Sequence, residues 1–486
     1  MTRRDFLRKS GGATAAMGLV GLPPGLADRL AWGDSAWNPM RRMIGCAPEA
    51  LAMRAAEGTA LTGGGAVSPA WMLNGSLPSP LLRVRQGERF RVTLDNQLKE
   101  ELILHWHGLT PPEASDGHPR LAVGPGGRYD YDFEVENRAG TYWYHSHTHY
   151  RTAKHTTLGI GGMILVEDDE ERALNLPSGD YEIPIILQDR KLDAEGRISY
   201  SDPTLTGGQM GSEPFGNGIR RPYLDVDRAA YRLRILNGSN ARVFRMERSD
   251  GGPMVLIGND GGLLERPVTL TWFDAAPAER FDLLVDLTGA RPGEVITLRS
   301  REFRAPGMFD TIPGITSQGA PMDLLQLRVG ERKGEPFRVP ERLSTIVDRP
   351  DPAAAVRERT VHFGSKSDPM TRGEYFQHKM DHMKYEMSRV DHHVPFGQTE
   401  IWTFTTDMMF SHPVHLHATH FNVLSREGGR GEVFPWEAGL KDTVLLWPGE
   451  TVKIAVRFSA HRGLFLVHCH NLEHEDVGMM ANVMIE

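Results

Sequence analysis

Four short His-X-His motifs constrain the fold of this chain more than any other feature, and one of them also contains a cysteine. His468-Cys469-His470 follows the apolar run 464–467, which is typical of a buried strand. Because side chains alternate between the two faces of a strand, His468 and His470 project to one side and Cys469 projects to the other. One strand can therefore supply ligands to two metal centres that only a few covalent bonds separate.

The residues around Cys469 indicate a copper centre. The loop after the motif supplies His474 and Met479. A thiolate, two imidazoles and a long axial thioether are the ligands of blue-copper electron-transfer sites. The second imidazole has to come from elsewhere, and His412 is the natural candidate because it lies shortly before another His-X-His motif.

The other motifs place further imidazoles in pairs on strand faces. They are His105-Trp106-His107, His145-Ser146-His147 and His415-Leu416-His417. Any one pair alone could equally be part of a polar strand or of an isolated zinc site. Four pairs together with the cysteine favour a second centre, on which all eight histidines converge.

With these motifs the sequence resembles the multicopper oxidases, and it looks most like the bacterial three-domain laccase-like and cuprous-oxidase members. The resemblance covers roughly residues 65–486. It implies four copper ions as cofactors, one of type 1, one of type 2 and two of type 3. The implied ligands of the type 1 copper are His412, Cys469, His474 and Met479, and those of the type 2 copper are His105 and His415. One type 3 copper would be held by His107, His145 and His470, and the other by His147, His417 and His468.

The sequence departs from the family pattern in two places. Ala418 stands where a glycine commonly follows the third His-X-His motif, and one extra residue separates Asp407-Met408-Met409 from His412. Neither departure removes an implied ligand, and both could alter the shape of the substrate entrance.

The resemblance implies an all-β fold of three cupredoxin-like Greek-key domains, each a β-barrel or sandwich. We expect an N-terminal linker at 34–65, domain 1 at 66–170, a histidine-free spacer domain at 175–330, a linker at 331–355 and domain 3 at 356–486. Alternating residues predict strands at 81–85 and 90–94, with Gln86-Gly87-Glu88 as a hairpin turn between them.

The first residues predict export by the twin-arginine machinery. Arg3-Arg4 precedes Phe6-Leu7 and a mild apolar stretch at 11–22, which together read as a signal peptide over approximately 1–33. The stretch is too short to span a bilayer of ~30 Å. We therefore expect a periplasmic protein without a stable membrane anchor in its mature form. The alternative is a basic start to a cytosolic protein.

Composition narrows the range of partners. The net charge is −8, and no long basic run is present, which argues against nucleic acid as a partner. Of the two cysteines, Cys469 is assigned to copper, so Cys46 has no disulfide partner and the chain is not disulfide-stapled. We expect a soluble monomer.

Two carboxyl groups are candidate proton donors for chemistry at the cluster. Glu475 lies between His474 and Asp476, and the family resemblance points to Asp116, in an Asp-Gly pair after the first motif. The alternative for Glu475 is a group that orients a ligand histidine. The alternative for Asp116 is a turn former.

A methionine- and histidine-rich segment at 370–393 precedes the third domain's ligand strands. Met380, Met383 and Met387 fall on one face of a predicted helix, and soft thioethers suit Cu(I). By resemblance to cuprous oxidases, Met380 and Met383 could bind substrate copper together with Asp407 and Met409. Ordinary packing is the equal alternative, since methionine fills irregular gaps well.

Three functional hypotheses follow from the resemblance. The first is a copper oxidase that converts Cu(I) to Cu(II) with O₂ as acceptor and serves periplasmic copper tolerance. The second is a laccase that oxidises phenols, aromatic amines or another small aromatic reductant. The third is a relative without enzymatic activity that has a structural or cell-division role, which the complete ligand set argues against.

Overall fold

The computed structural model describes residues 45–46, 51–62, 67–201, 207–304, 318–335, 337–367, 376–407 and 410–486. The expected export signal at 1–33, Met370 and Met409 lie outside the described residues. The described chain is built mainly of strands, which confirms the predicted all-β class. Among the described residues, we find no helix that is both long and apolar enough to cross a bilayer.

The strands form three consecutive pairs of sheets along the chain. In the first pair, one sheet has the order β1-β4-β9-β8-β6 and the other has the order β3-β2-β5-β7. These strands are β1 (Gly45–Cys46), β2 (Leu51–Leu61), β3 (Val67–Leu73), β4 (Leu81–Arg85), β5 (Arg89–Asn96), β6 (Leu104–His107), β7 (Arg128–Glu134), β8 (Gly140–Ser146) and β9 (Gly161–Glu167). Two helices accompany them, α1 (Thr152–Leu158) and α2 (Asp169–Ala173).

The second pair of sheets contains no histidine, since none occurs between His155 and His362. Its strand orders are β12-β11-β10-β14-β19-β16-β17 and β13-β21-β20-β15-β18. The strands are β10 (Glu182–Arg190), β11 (Glu213–Gly216), β12 (Ile219–Arg220), β13 (Tyr223–Arg228), β14 (Ala230–Asn237), β15 (Phe244–Arg248), β16 (Met254–Asn259), β17 (Gly262–Leu270), β18 (Trp272–Ala275), β19 (Arg280–Asp286), β20 (Val295–Ser300) and β21 (Met322–Lys333).

The third pair has the strand orders β23-β22-β25-β29-β27 and β24-β31-β30-β26-β28. Its elements are β22 (Ala355–Ser367), β23 (Phe376–Met380), β24 (His392–Val394), β25 (Thr399–Thr406), β26 (His412–Leu416), β27 (Phe421–Glu427), β28 (Thr443–Leu446), β29 (Thr451–Arg457), β30 (Gly463–Cys469), α3 (Leu472–Asp476) and β31 (Met480–Ile485). Each pair encloses its own apolar core, to which both of its sheets contribute. β2 lies inside the stretch expected to be a linker, and the domain bounds stay predictions.

Strand register brings the four motifs together two by two. β6 pairs antiparallel with β8, and His105 lies directly opposite His145. β26 pairs antiparallel with β30, and His415 lies directly opposite His468. Because directly opposed residues project to the same face of a sheet, each pairing gathers the histidines of two motifs on one surface.

Two local predictions are wrong. β4 and β5 do not form a hairpin: at 86–88 the chain crosses from one sheet to the other, because β4 pairs in parallel with β9 while β5 pairs with β7. The segment 376–387 does not form the predicted helix either. β23 pairs antiparallel with β22, and Asp381 and His382 then turn the chain with positive φ angles of 46° and 66°.

A buried ion-pair network joins the first and second pairs of sheets. Glu182 Oε1 lies 2.6 Å from Arg234 Nε, and Glu182 Oε2 lies 2.8 Å from Arg83 Nη2 on β4. Burial acts to raise the pKa of Glu182, but the guanidinium groups of Arg234, Arg83 and Arg232 outweigh it and lower the pKa to about 2. The carboxylate therefore stabilises the folded chain wherever it is ionised.

We predict that this network contributes to acid sensitivity. The folded pKa of Glu182 lies below its ordinary value of 4.5, so its contribution is fully present above pH 4.5 and is lost as the pH falls towards 2. The difference corresponds to roughly 3 kcal/mol. Urea unfolding of wild type and Glu182→Gln between pH 5 and about 2 tests this, and the variant's stability should fall less steeply. Parallel curves would contradict the prediction.

Candidate functional site

Cys469 lies at the end of β30 beside two imidazoles. Its Sγ is 3.4 Å from His412 Nδ1 and 3.6 Å from His474 Nδ1, and those two nitrogens are 3.2 Å apart. Met479 is fully buried, and its backbone accepts a hydrogen bond from Cys469 N and donates one to His474 O. The three donor atoms are close enough to bind one ion, and they are those predicted for the type 1 copper.

A second group forms on the opposite face of the Cys469 strand. His468 Nε2 lies 3.1 Å from His417 Nε2 and 3.3 Å from His147 Nε2. These three histidines are the set predicted for one type 3 copper, and their donor atoms could hold a single ion.

The remaining five histidines surround the same space. His145 Nε2 lies 3.4 Å from His470 Nε2. Five buried nitrogens in this region have no hydrogen-bond partner among the described residues: His105 Nε2, His107 Nδ1, His147 Nδ1, His415 Nε2 and His470 Nδ1. Buried polar atoms are seldom left unpaired. The unpaired nitrogens of His105, His107 and His415, whose other ring nitrogens contact the protein, therefore indicate a place for bound metal.

Burial prepares these histidines for metal binding. All eight are at most 1% exposed. Burial lowers the pKa of His145 to about 3 and takes the pKa of His105, His147 and His468 well below its ordinary value. These four imidazoles are therefore neutral at pH 7, which leaves one nitrogen of each ring free as a ligand.

The second nitrogen of most rings is occupied by the protein, as is usual for metal-binding histidines. His105 Nδ1 lies 2.7 Å from the Asp116 carbonyl, and His415 Nδ1 lies 2.9 Å from the Asp442 carbonyl. His468 Nδ1 lies 3.1 Å from the Cys469 carbonyl. These contacts turn Nε2 of each ring towards the common space.

Both predicted proton donors lie against the cluster. Asp116 Oδ2 is 2.7 Å from His417 Nδ1, and Glu475 Oε2 is 3.3 Å from His468 Nδ1. Burial raises the pKa of both carboxyl groups well above the ordinary range, and the neighbouring Asp476 raises that of Glu475 further. A raised pKa lets a carboxyl group carry a proton near neutral pH.

The predicted substrate-copper residues are not all gathered in one place. Asp407 Oδ2 accepts a hydrogen bond from Ser365 N at 2.6 Å, and Met409 lies outside the described residues. Met380 is buried in the core, whereas Met383, across the tight turn from it, is 44% exposed.

Three residues beside the centres were not assigned to them from the sequence, although His378 lies in the methionine- and histidine-rich segment. His378 stacks on His474 with ring centroids 3.8 Å apart, and Asp442 lies beside His107 in an ion pair with Arg280. The available sequence signal for Asp442 was the Lys441-Asp442 pair directly before an apolar strand. Nothing local distinguished Arg280.

The residues present fit copper. One cysteine sulfur with two imidazoles and a buried methionine matches a blue-copper donor set, and eight buried imidazoles lie around a second space. The division of those eight histidines among individual ions stays a prediction. His468 and His470, on either side of Cys469 in the chain, connect the two centres.

The chain is similar to known proteins in both sequence and structure. Two domain models described as multicopper oxidase match residues 55–171 and 357–486. A laccase from Bacillus stratosphericus is 29% identical over 84% of this chain and 89% of its own. The cell division protein FtsP from Xenorhabdus nematophila is 30% identical over 100% of this chain and 98% of its own. The crystal structure of the McoA multicopper oxidase from Aquifex aeolicus matches with a TM-score of 0.81 and 30% identity, covering 91% of this chain and 98% of that one.

Gly108, which follows His107, leaves room for buried charges beside the cluster. A Cβ atom there would lie 2.6 Å from Arg280 Nη2 and 2.7 Å from Asp442 Oδ2, and the backbone has a φ of 86°. Gly87 has nearly the same φ, 85°, with open space around it.

We predict that Gly108→Ala lowers the free energy of unfolding of the metal-free protein by about 1–3 kcal/mol more than Gly87→Ala does. Both substitutions impose the same backbone strain, and only the first displaces packed atoms. Urea unfolding of the two variants measures the difference, and equal losses would contradict the packing argument.

Proposed function

Because this chain belongs to the multicopper oxidase family, and is therefore a copper-dependent oxidoreductase, we propose that it oxidises Cu(I) and passes the electrons to O₂. The balanced reaction takes four Cu(I), one O₂ and four protons to four Cu(II) and two waters. The observation that carries the proposal is that a complete set of buried donor residues surrounds each face of the Cys469 strand. One set lies around Cys469, and the other consists of the eight histidines.

We assign four copper ions to these donors: one at His412, Cys469, His474 and Met479, and three among the eight histidines. Copper held by the first set would supply one-electron oxidation of the reductant, and copper held by the eight histidines would supply the reduction of O₂. The chain's own contribution is geometry. Cys469 is bonded to both neighbouring histidines, so the backbone of one strand connects the two centres.

Glu475 and Asp116 supply protons in this proposal. Each is buried, has a raised pKa and lies next to a histidine of the cluster. Glu475 Oε2 has no hydrogen-bond partner among the described residues, which leaves it available to move a proton. Asp116 also orients His417 through its carboxylate.

We favour Cu(I) as reductant because the segment that carries two exposed thioethers also packs against a residue of the Cys469 centre. Met383 is exposed, and Met387 is 37% exposed in the same segment. His378, on β23 of that segment, stacks on His474, so the segment packs directly against a residue of the Cys469 centre. Thioethers on this surface suit a soft cuprous ion better than a phenol.

A laccase activity on phenols or aromatic amines is the second candidate, supported by the laccase among the relatives. The match to FtsP also raises a cell-division role without oxidase activity. We place the protein in the periplasm after twin-arginine export, as a three-domain monomer in which the histidine-free middle domain sets the other two against each other.

Glu475→Gln should slow reoxidation of the reduced, copper-loaded protein by O₂ about 100-fold, because glutamine cannot deliver a proton. The blue absorption of the Cys469 centre should be unchanged. Glu473→Gln is the matched control, since Glu473 lies in the same helix, is also buried and accepts its hydrogen bond from Asn240. Stopped-flow reoxidation makes the comparison, and wild-type rates in Glu475→Gln would refute the role.

Oxygen consumption with Cu(I) and with dimethoxyphenol distinguishes the candidates. The Met383→Leu/Met387→Leu variant should lose most Cu(I) turnover and retain phenol turnover, because leucine keeps the apolar volume without the sulfur. Met72→Leu on β3 controls for the substitution itself. Fast phenol oxidation with poor Cu(I) turnover would favour the laccase, and no O₂ consumption by a fully loaded protein would favour the non-enzymatic role.

A further inference from the structure

Arg280 and Asp442 form an ion pair that is completely buried beside the histidine cluster. Arg280 begins β19 in the second pair of sheets, and Asp442 precedes β28 in the third pair. Both side chains are 0% exposed, Arg280 Nη1 lies 2.8 Å from Asp442 Oδ1, and Arg280 Nη2 contacts Oδ2. A buried pair of this kind is costly unless every donor and acceptor is satisfied.

The guanidinium group of Arg280 meets that condition by contacting all three pairs of sheets. Its Nε donates to the carbonyl of Thr141 on β8 at 2.9 Å. Nη1 also donates to the carbonyl of Ala278 at 3.0 Å, and Nη2 donates to the carbonyl of Asp260 at 2.9 Å. With the two bonds to Asp442, all five N–H groups of the arginine are used.

Asp442 contacts two histidines of the cluster, His107 through its carboxylate and His415 through its carbonyl. Its Oδ1 lies 3.1 Å from His107 Nε2, and its carbonyl lies 2.9 Å from His415 Nδ1. Thr443 Oγ1 donates to Oδ1 at 2.9 Å, and His420 Nε2 lies 3.7 Å from Oδ2.

His107 is held differently from His105 and His415. Because its Nε2–H faces Asp442, the nitrogen left for a metal is Nδ1, which is buried and has no partner among the described residues. His105 and His415 present Nε2 instead. The carboxylate thus selects both the tautomer and the rotation of the His107 ring.

A second buried cation supports the same junction. Lys441 Nζ lies 2.9 Å from Asp260 and 3.0 Å from Glu279, both in the second pair of sheets. The two residues that precede β28 are therefore both fixed by partners from the histidine-free part of the chain.

We propose that the Arg280–Asp442 ion pair is a positioning element for the metal cluster: it holds His107 with Nδ1 towards the bound metal, so that loading of the cluster depends on the second pair of sheets. This inference rests on the proposed placement of copper among the eight histidines. It assigns the histidine-free sheets a part in building the cluster in addition to their part as a spacer.

Copper loading of Asp442→Asn against wild type tests the proposal. The amide keeps the shape of the side chain and removes the charge that fixes Arg280 and His107. Copper affinity of the cluster, measured by competition with a chelator, should fall by about 10–100-fold. The electron paramagnetic resonance signal of the cluster should change, while the blue absorption of the Cys469 centre stays as in wild type.

Asp189→Asn is the matched control. The side chain of Asp189 is also 0% exposed and pairs with a buried arginine, Arg242, at 3.0 Å, with no cluster histidine among its contacts in the described structure. It should load copper fully, although the thermal midpoint of its metal-free form should fall as far as that of Asp442→Asn. Equal loss of cluster copper in the two variants would mean that the Arg280–Asp442 ion pair only stabilises the fold, and it would overturn the proposal.

Arg280→Lys keeps the buried positive charge with fewer donors, and it decides the matter if Asp442→Asn does not fold. The proposal is supported if Arg280→Lys loses less cluster copper than Asp442→Asn. If Asp442→Asn does not fold, a clear loss of cluster copper in Arg280→Lys supports the proposal by itself. Wild-type copper loading of Arg280→Lys overturns the proposal. Wild-type protein that binds no copper at the cluster would instead refute the proposed function on which the inference rests.

Discussion

The alternation of side chains along β30 and the residue that follows it is the constraint on which the other features depend. Cys469 faces one centre while His468 and His470 face the other, so the two sites share one short piece of backbone. Everything else has to be arranged around that piece: β26 pairs with it in the register that sets His415 opposite His468, and the first pair of sheets brings its own histidines to the same face.

Burying so many polar groups is unfavourable unless each has a partner, and the charged residues between the sheets show how the chain manages it. Arg280, Lys441 and Asp442 are completely buried and are compensated by each other, by carbonyl groups and by carboxylates of neighbouring strands. The buried polar atoms without a hydrogen-bond partner among the described residues include His105 Nε2, His107 Nδ1 and His415 Nε2 at the cluster. A metal ion would supply the missing partners of these three nitrogens.

The sequence was informative where the signal was local. Period-two spacing and the donor chemistry of Cys469, His412 and His474 were enough to predict which residues approach each other, and the all-β class followed from the family resemblance. Local patterns failed where partners are distant. The turn at 86–88 looks like a hairpin until parallel pairing with β9 is known, and the spacing of Met380 and Met383 suits a helix until β22 is seen to pair with β23. Arg280 and Asp442 are far apart in sequence, and no short motif links them.

The histidine pairs that β6 with β8 and β26 with β30 bring together come from distant parts of the chain, and this distance affects the order of folding. The eight histidines come from two stretches of chain with the whole second pair of sheets between them. Contacts between such distant residues form late, because the entropy of closing a long loop must be overcome first. The complete cluster therefore does not exist in any partly folded fragment, and a copper ion that meets the chain early finds single histidine pairs. Tight, multi-centre loading is a property of the finished fold, so metal uptake reports that folding is complete.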